Sequence, residues 1–153
     1  MKVTLTTVLT STQKQDLFRI WNAEYFQSIT YTQIEDFEDY LAKLSNKRYL
    51  LLLKENHLIG CCVKYRKDNA SWFFILLDSK LQGKGLGSKL LDKAKEDEMV
   101  LNGWVIPHDD YLKNTGEPYK SPLGFYQKNG FEVHYKERLE LDQFVAVKIQ
   151  WKK

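Results

Sequence analysis

WFFILLDSKLQGKGLGSKLLDKAKEDE, residues 72–98, is the stretch on which the reading of the whole chain turns. Trp72 to Leu77 is a continuous apolar run rich in aromatic and β-branched residues, the pattern of a strand covered on both faces. Gln82 to Gly87 is a glycine-rich turn. Leu86, Leu90, Leu91 and Ala94 then fall on one face at helical spacing. A buried strand, a tight loop and a helix in that order present backbone N–H groups at a helix N-terminus, which is an anion site and most often a phosphate site. Gly83-x-Gly85-x-Gly87 lacks the spacing of a dinucleotide-binding G-x-G-x-x-G, and no G-x-x-x-x-G-K-[ST] is present, so neither common nucleotide loop applies.

Composition narrows the field. The chain has 153 residues, 43% hydrophobic and 14% aromatic, enough for one domain (1–153) with a substantial core. A net charge of +3 is too mild to argue for nucleic acid. Cys61 and Cys62 are adjacent on a predicted strand, point to opposite faces and are expected to be buried free thiols of a reducing, cytoplasmic environment. The N-terminal stretch MKVTLTTVLTSTQ is short and polar for a signal peptide, and no apolar run approaches the ~20 residues of a membrane helix.

Working outward, Lys2–Leu9 alternates as a first strand, followed by a helix that turns Leu17, Ile20, Trp21 and Tyr25 inward, with Thr10, Ser11 and Thr12 as candidate N-caps. Thr32-Gln33-Ile34-Glu35 fits a capping box opening a second helix with Ile34, Phe37, Leu41 and Leu44 inside. Tyr49–Leu53, Leu58–Tyr65 and Trp72–Leu77 read as three antiparallel strands joined by short turns. Met99–Val105 follows a helix, so it should run parallel to Trp72–Leu77. Pro107, Gly116 and Pro118 make residues 106–120 a loop. Ser121-Pro122 opens a helix that stops at Asn129-Gly130. Phe131–Glu137 and Gln143–Trp151 form a final antiparallel pair, whose cleanly alternating last strand is a candidate edge for a homodimer.

At this point the residues resemble a known family. Gln82-Gly83-Lys84-Gly85-Leu86-Gly87 is similar to the Q/R-x-x-G-x-G/A signature of the GNAT superfamily of N-acetyltransferases. Phe125-Tyr126-Gln127-Lys128-Asn129-Gly130-Phe131 resembles its FYxxxGF segment. The element order resembles that fold along nearly the whole chain. The resemblance implies an α+β architecture: a mixed, mostly antiparallel sheet flanked by helices, with a central parallel strand pair splayed to hold CoA. It implies that the amides of Gln82, Gly83, Lys84, Gly85, Leu86, Gly87 and Ser88 cradle the CoA diphosphate. The three glycines would remove side chains from its path, and Lys84 and Lys89 would add positive charge. Ile75, Leu76 and Leu77 would pair their backbone with pantetheine, and an amide of that strand would polarise the thioester carbonyl. Tyr126 falls at the position of the general acid that protonates the departing thiolate.

The implied activity is transfer of an acetyl group from acetyl-CoA to a primary amine, on a small molecule or peptide, by direct attack in a ternary complex. No nucleophile for a covalent intermediate is evident, and no metal, nucleic acid or membrane is called for. The competing reading is a non-catalytic CoA-binding sensor or interaction module on the same fold. Glu24, Glu35, Asp78, His108 and Asp109 are candidate bases. Two departures stand out. Tyr119 occupies the offset, seven residues before Tyr126, where members commonly carry a cofactor-contacting Asn. The 106–120 loop is also longer than usual, which makes it a candidate cover for the acceptor site.

Overall fold

The computed structural model describes residues 2–153. The elements are β1 (Val3–Thr6), α1 (Ser11–Glu24), α2 (Ile34–Ala42), β2 (Ser45–Lys54), β3 (His57–Lys67), β4 (Ala70–Leu77), α3 (Leu86–Lys95), β5 (Val100–Val105), α4 (Leu123–Lys128), β6 (Glu132–Glu140) and β7 (Val145–Lys152), with short 3-10 turns at Gln27–Ile29 and Ser79–Leu81. They build one seven-stranded sheet in the order β1-β2-β3-β4-β5-β7-β6. All neighbours are antiparallel except β4 and β5, which run parallel as expected from the helix between them.

The unbroken apolar run in β4 follows from cores on both sides of the sheet. Phe73, Ile75 and Leu77 pack with Leu90, Leu91 and Phe131 on the α3–α4 face. Phe74 and Leu76 pack with Leu17, Trp21 and Phe37 under α1 and α2. Cys61 and Cys62 divide in the same way, one to each core, and both are fully buried. Burial holds the Cys61 thiol well above its ordinary value and pushes Cys62 up to about 12. Both therefore stay neutral and inert at physiological pH.

Several local expectations are corrected by longer-range structure. Thr10 does cap α1: Gln13 N donates to its Oγ1 and the Gln13 side chain returns the bond, a complete capping box. The box expected at Thr32–Glu35 does not form; Gln33 occupies the cap position with no side-chain bond. The chain there is held instead by Asn22, whose side chain bonds both N and O of Tyr31. The last strand is not an edge either. β7 lies between β5 and β6, which leaves β1 and β6 at the margins, so an edge pairing through β7 is closed off.

The 106–120 segment is irregular, as its prolines and glycine require, but it is tied down. Phe26 pairs with Lys113 and Leu112 with Pro118 in isolated bridges. Gln27 N donates to Leu112 O at 2.8 Å. Tyr111 and Tyr119 pack on Phe26, with ring centroids 5.0 and 5.2 Å away, and Val145 N donates to Tyr111 Oη at 3.0 Å. The segment is thus a fixed wall between the α1–α2 junction and β7.

Candidate active site

The glycine turn after β4 is shaped by backbone conformation. Gly83 and Gly85 have φ of 81° and 79°, left-handed values that an L side chain adopts only at a cost. A Cβ at either would meet nothing within 4 Å, so the space above them is open. Gly85 caps α3 without a side-chain bond. From Gly83 to Ser88, six consecutive backbone N–H groups have no acceptor among the described residues; the helical ladder begins only where Lys89 N donates to Gly85 O. Such a run of free donors at a helix N-terminus fits a diphosphate. Gln82 N is used within the chain, donating to Ser79 O, and the Gln82 side chain donates to Leu77 O. Gln82 therefore latches the turn to the end of β4 and adds no free amide.

One glycine serves a different purpose from the one expected. A Cβ on Gly87 would come within 2.9 Å of Phe125 Cζ. Its missing side chain makes room for the α4 ring and so sets the spacing of α3 and α4. Lys84 and Lys89 are exposed, and Lys93 pairs with Glu96 at 3.3 Å. The acids at the far end of α3, which oppose the helix dipole, are compensated from the sheet. Buried Lys64 donates to Ala94 O at 2.8 Å and to Asp97, while Arg48 bonds Asp97 and lies 3.5 Å from Glu98.

Beside the turn the sheet opens. The parallel register of β4 and β5 holds at Trp72↔Asn102, reinforced by Asn102 Nδ2 donating to Ser71 O at 3.1 Å. Toward Ile75, Leu76 and Leu77 the ladder is not continued, and these residues line a cleft of about 1620 Å³. The cleft runs from Gly83, Gly85 and Ser88 past Tyr126 to the α1–α2 junction and the β6–β7 hairpin. Lys84 and Leu86 are not among its lining residues; Leu86 packs its side chain into the core.

Tyr126 stands between the two ends. α4 holds it against Phe73 and Phe131, with centroids 5.8 and 5.5 Å away. The residue is buried and lines the cleft, and its hydroxyl has no hydrogen-bond partner among the described residues. Burial, then the neighbouring Tyr119 and Cys62, hold its pKa well above the ordinary value. Across physiological pH it is a protonated donor and not a base.

The candidate bases separate clearly. Glu24 lines the cleft, but its Oε2 accepts from Ser79 N at 3.0 Å and its Oε1 lies 3.5 Å from Lys113 Nζ. Asp78 caps the 3-10 turn through Lys80 N, Asp109 accepts from Ser121 N, and His108 accepts from Asp110 N with its ring edge-on to Tyr111. These three shape loops, and neither they nor Glu35 line the cleft. What motif reading missed is a group of tyrosines. Tyr25, Tyr40, Tyr65 and Tyr119 line the same cleft as Tyr126. Each has its pKa raised by burial, Tyr65 to about 12. Only Tyr119 carried a sequence signal, as the residue at the unusual offset.

Comparison with known proteins agrees with this geometry. Residues 45–133, more than half of the chain, match the family model described as an acetyltransferase (GNAT) domain. No curated protein matches the chain. Among solved structures, the chain is similar to an aminoglycoside 6'-N-acetyltransferase complexed with coenzyme A (11% identity, TM-score 0.75, covering 99% of this chain and 97% of that one). It is also similar to a ribosomal-protein-alanine N-acetyltransferase from Brucella melitensis (17%, 0.65, all of both chains). A third is a GNAT family acetyltransferase from Elizabethkingia anophelis with acetyl-CoA bound (19%, 0.60, 99% and 98%). At these identities the structures speak for the fold, and the matched domain speaks for the family. With its glycine turn, splayed parallel pair and Tyr126 helix in one cleft, the chain belongs to the GNAT acetyltransferase family.

Proposed function

We propose that this protein is a single-domain N-acetyltransferase that moves an acetyl group from acetyl-CoA to a primary amine by direct attack within a ternary complex. The observation that carries the reading is that the turn bearing the unpartnered amides of Gly83–Ser88 meets, in one cleft lined by Gly83, Gly85, Gly87 and Ser88, a protonated, unbonded Tyr126 hydroxyl. When bound, acetyl-CoA supplies an acetyl thioester. The amides of Gly83 to Ser88 hold its diphosphate, and the open backbone edge of Ile75, Leu76 and Leu77 aligns its pantetheine arm. Tyr126 gives a proton or hydrogen bond to the leaving sulfur. The cleft, at about 1620 Å³, exceeds the ~300–1,000 Å³ of a site for one small ligand, which supports simultaneous binding of donor and acceptor. Both cysteines are buried and neutral, which argues against an acylated thiol on the path.

The test has two arms. Acetyl-CoA at 100 times its dissociation constant should raise stability by about 2.7 kcal/mol in thermal melts. Tyr126→Phe should lower kcat roughly 100-fold or more while acetyl-CoA affinity holds. Absence of transfer to a broad amine panel, with donor binding intact, would instead identify a CoA-binding module without catalysis.

A further inference from the structure

Beyond Tyr126 the cleft changes character. Trp21 acts as a pillar: Tyr25, Tyr40 and Phe74 pack against it with ring centroids 4.6, 5.3 and 5.5 Å away. The indole is itself fixed, since Nε1 donates to Ile29 O at 2.8 Å. This wall is rigid because each ring is held by another ring, so little side-chain entropy remains to be lost on binding. Tyr65 and Trp104 floor the groove from the sheet, and Phe144 lines it from just before β7.

The charges around the groove point the same way. Six basic residues line the cleft and only three acids, Glu24, Asp68 and Glu117. Glu24, the acid at the chamber itself, is committed to Ser79 N and Lys113. Lys43 and Lys67 at the outer end have no ion-pair partner among the described residues. Glu35, Asp36, Glu38 and Asp39 on α2 are absent from the lining, and Glu38 pairs with Lys14 at 3.2 Å. A ligand with several positive charges would meet twice as many cations as carboxylates in this lining, with only Asp68 and Glu117 outside any ion pair among the described residues.

From this arrangement we infer that the acceptor is a primary amine on a flat aromatic body that carries no second positive charge, seated between the Trp21–Tyr25–Tyr40–Phe74 wall and the Tyr65–Trp104 floor. The inference rests on the transferase reading proposed above. Aromatic walls contribute stacking to the body of the ligand. They also desolvate the ammonium group and so favour its neutral form, which suits a chamber in which Glu24 is already paired. The tyrosine hydroxyls are left to receive the amine's N–H groups. The contrast with an aminoglycoside, the substrate class of one structural neighbour, is therefore one of charge and shape.

The experiment compares phenethylamine, benzylamine, spermidine and kanamycin as acceptors, following CoA release with the full chain. The aromatic monoamines should exceed the two polycations in kcat/KM by roughly tenfold or more. Tyr65→Ala, at a partly exposed floor position, should lower phenethylamine kcat/KM roughly tenfold, with KM for acetyl-CoA reporting on the donor side. Combining Lys43→Glu with Lys67→Glu should raise spermidine turnover by a comparable factor. Efficient use of spermidine or kanamycin with neglect of both aromatic amines overturns the acceptor assignment and leaves the transferase reading standing. No transfer to any of the four, together with no melting shift by acetyl-CoA, overturns both.

Discussion

The two ends of the cleft are made from different parts of the polypeptide. The end proposed for the donor's phosphates is made of backbone: six N–H groups in six consecutive residues, aimed by two left-handed glycines and a helix start. The end proposed for the acceptor is made of side chains drawn from α1, α2, β3, β4, β5 and the 106–120 wall, held together by ring-on-ring packing. A backbone site is written in a short local code and binds a ligand common to many proteins. A side-chain chamber is written across the chain and suits one acceptor. One cleft can thus keep its donor while its acceptor preference is rebuilt by substitution.

The largest expected effect that separates the ends falls on the backbone side. Gly85→Val forces a β-branched residue into φ 79°, a strain of roughly 1–2 kcal/mol that should pull the helix start out of register. Acetyl-CoA affinity measured by calorimetry should fall at least tenfold, while acceptor KM at saturating donor changes little. Wild-type affinity in this variant would mean that the amides are not the donor site.

High pH sharpens the comparison from the other side. Burial raises the pKa of Tyr25, Tyr119 and Tyr126 and brings Tyr65 and Tyr49 to about 12. The fold favours the neutral phenol, so this contribution to stability is fully present below the unfolded tyrosine value of about 10 and is lost as pH rises toward the folded values. Melting temperature should hold up to about pH 10 and fall steeply above it, with tyrosinate absorbance rising together with unfolding. Tyrosinate that appears gradually in a folded protein would place these hydroxyls in free contact with water.

The smallest effect concerns the wall. Tyr111→Phe removes the hydroxyl that accepts from Val145 N, worth about 1 kcal/mol. Acceptor KM should rise a few-fold with acetyl-CoA affinity unchanged. A loss of donor affinity instead would show that the wall serves both ends.

Legibility from sequence follows the same division. Residues 72–98 disclosed the strand, turn and helix, because apolar run, glycines and helical spacing are all local. The parallel direction of β5 followed from the helix before it. Thr10 and Thr32 mark the limit of local reading: both sit three residues before a Gln or Glu, yet only Thr10 caps, because Asn22 holds the chain at Tyr31. The place of β7 between β5 and β6 depends on strand order, which alternation does not encode. Gly87 looked like its neighbours in the motif, but only the position of Phe125 gives it a different task. The tyrosine chamber was invisible because its members lie as far apart as Tyr25 and Tyr126, each an ordinary core aromatic in its own window.

The single register pair between β4 and β5 has a mechanical consequence. Two half-sheets, β1–β4 and β5–β7–β6, are riveted at Trp72↔Asn102 and gape beyond it. A donor lying along β4 would fill the gap as an eighth strand made of another molecule. Under the proposed function it would be a girder as well as a reagent, and its departure would reopen the gap beyond that rivet.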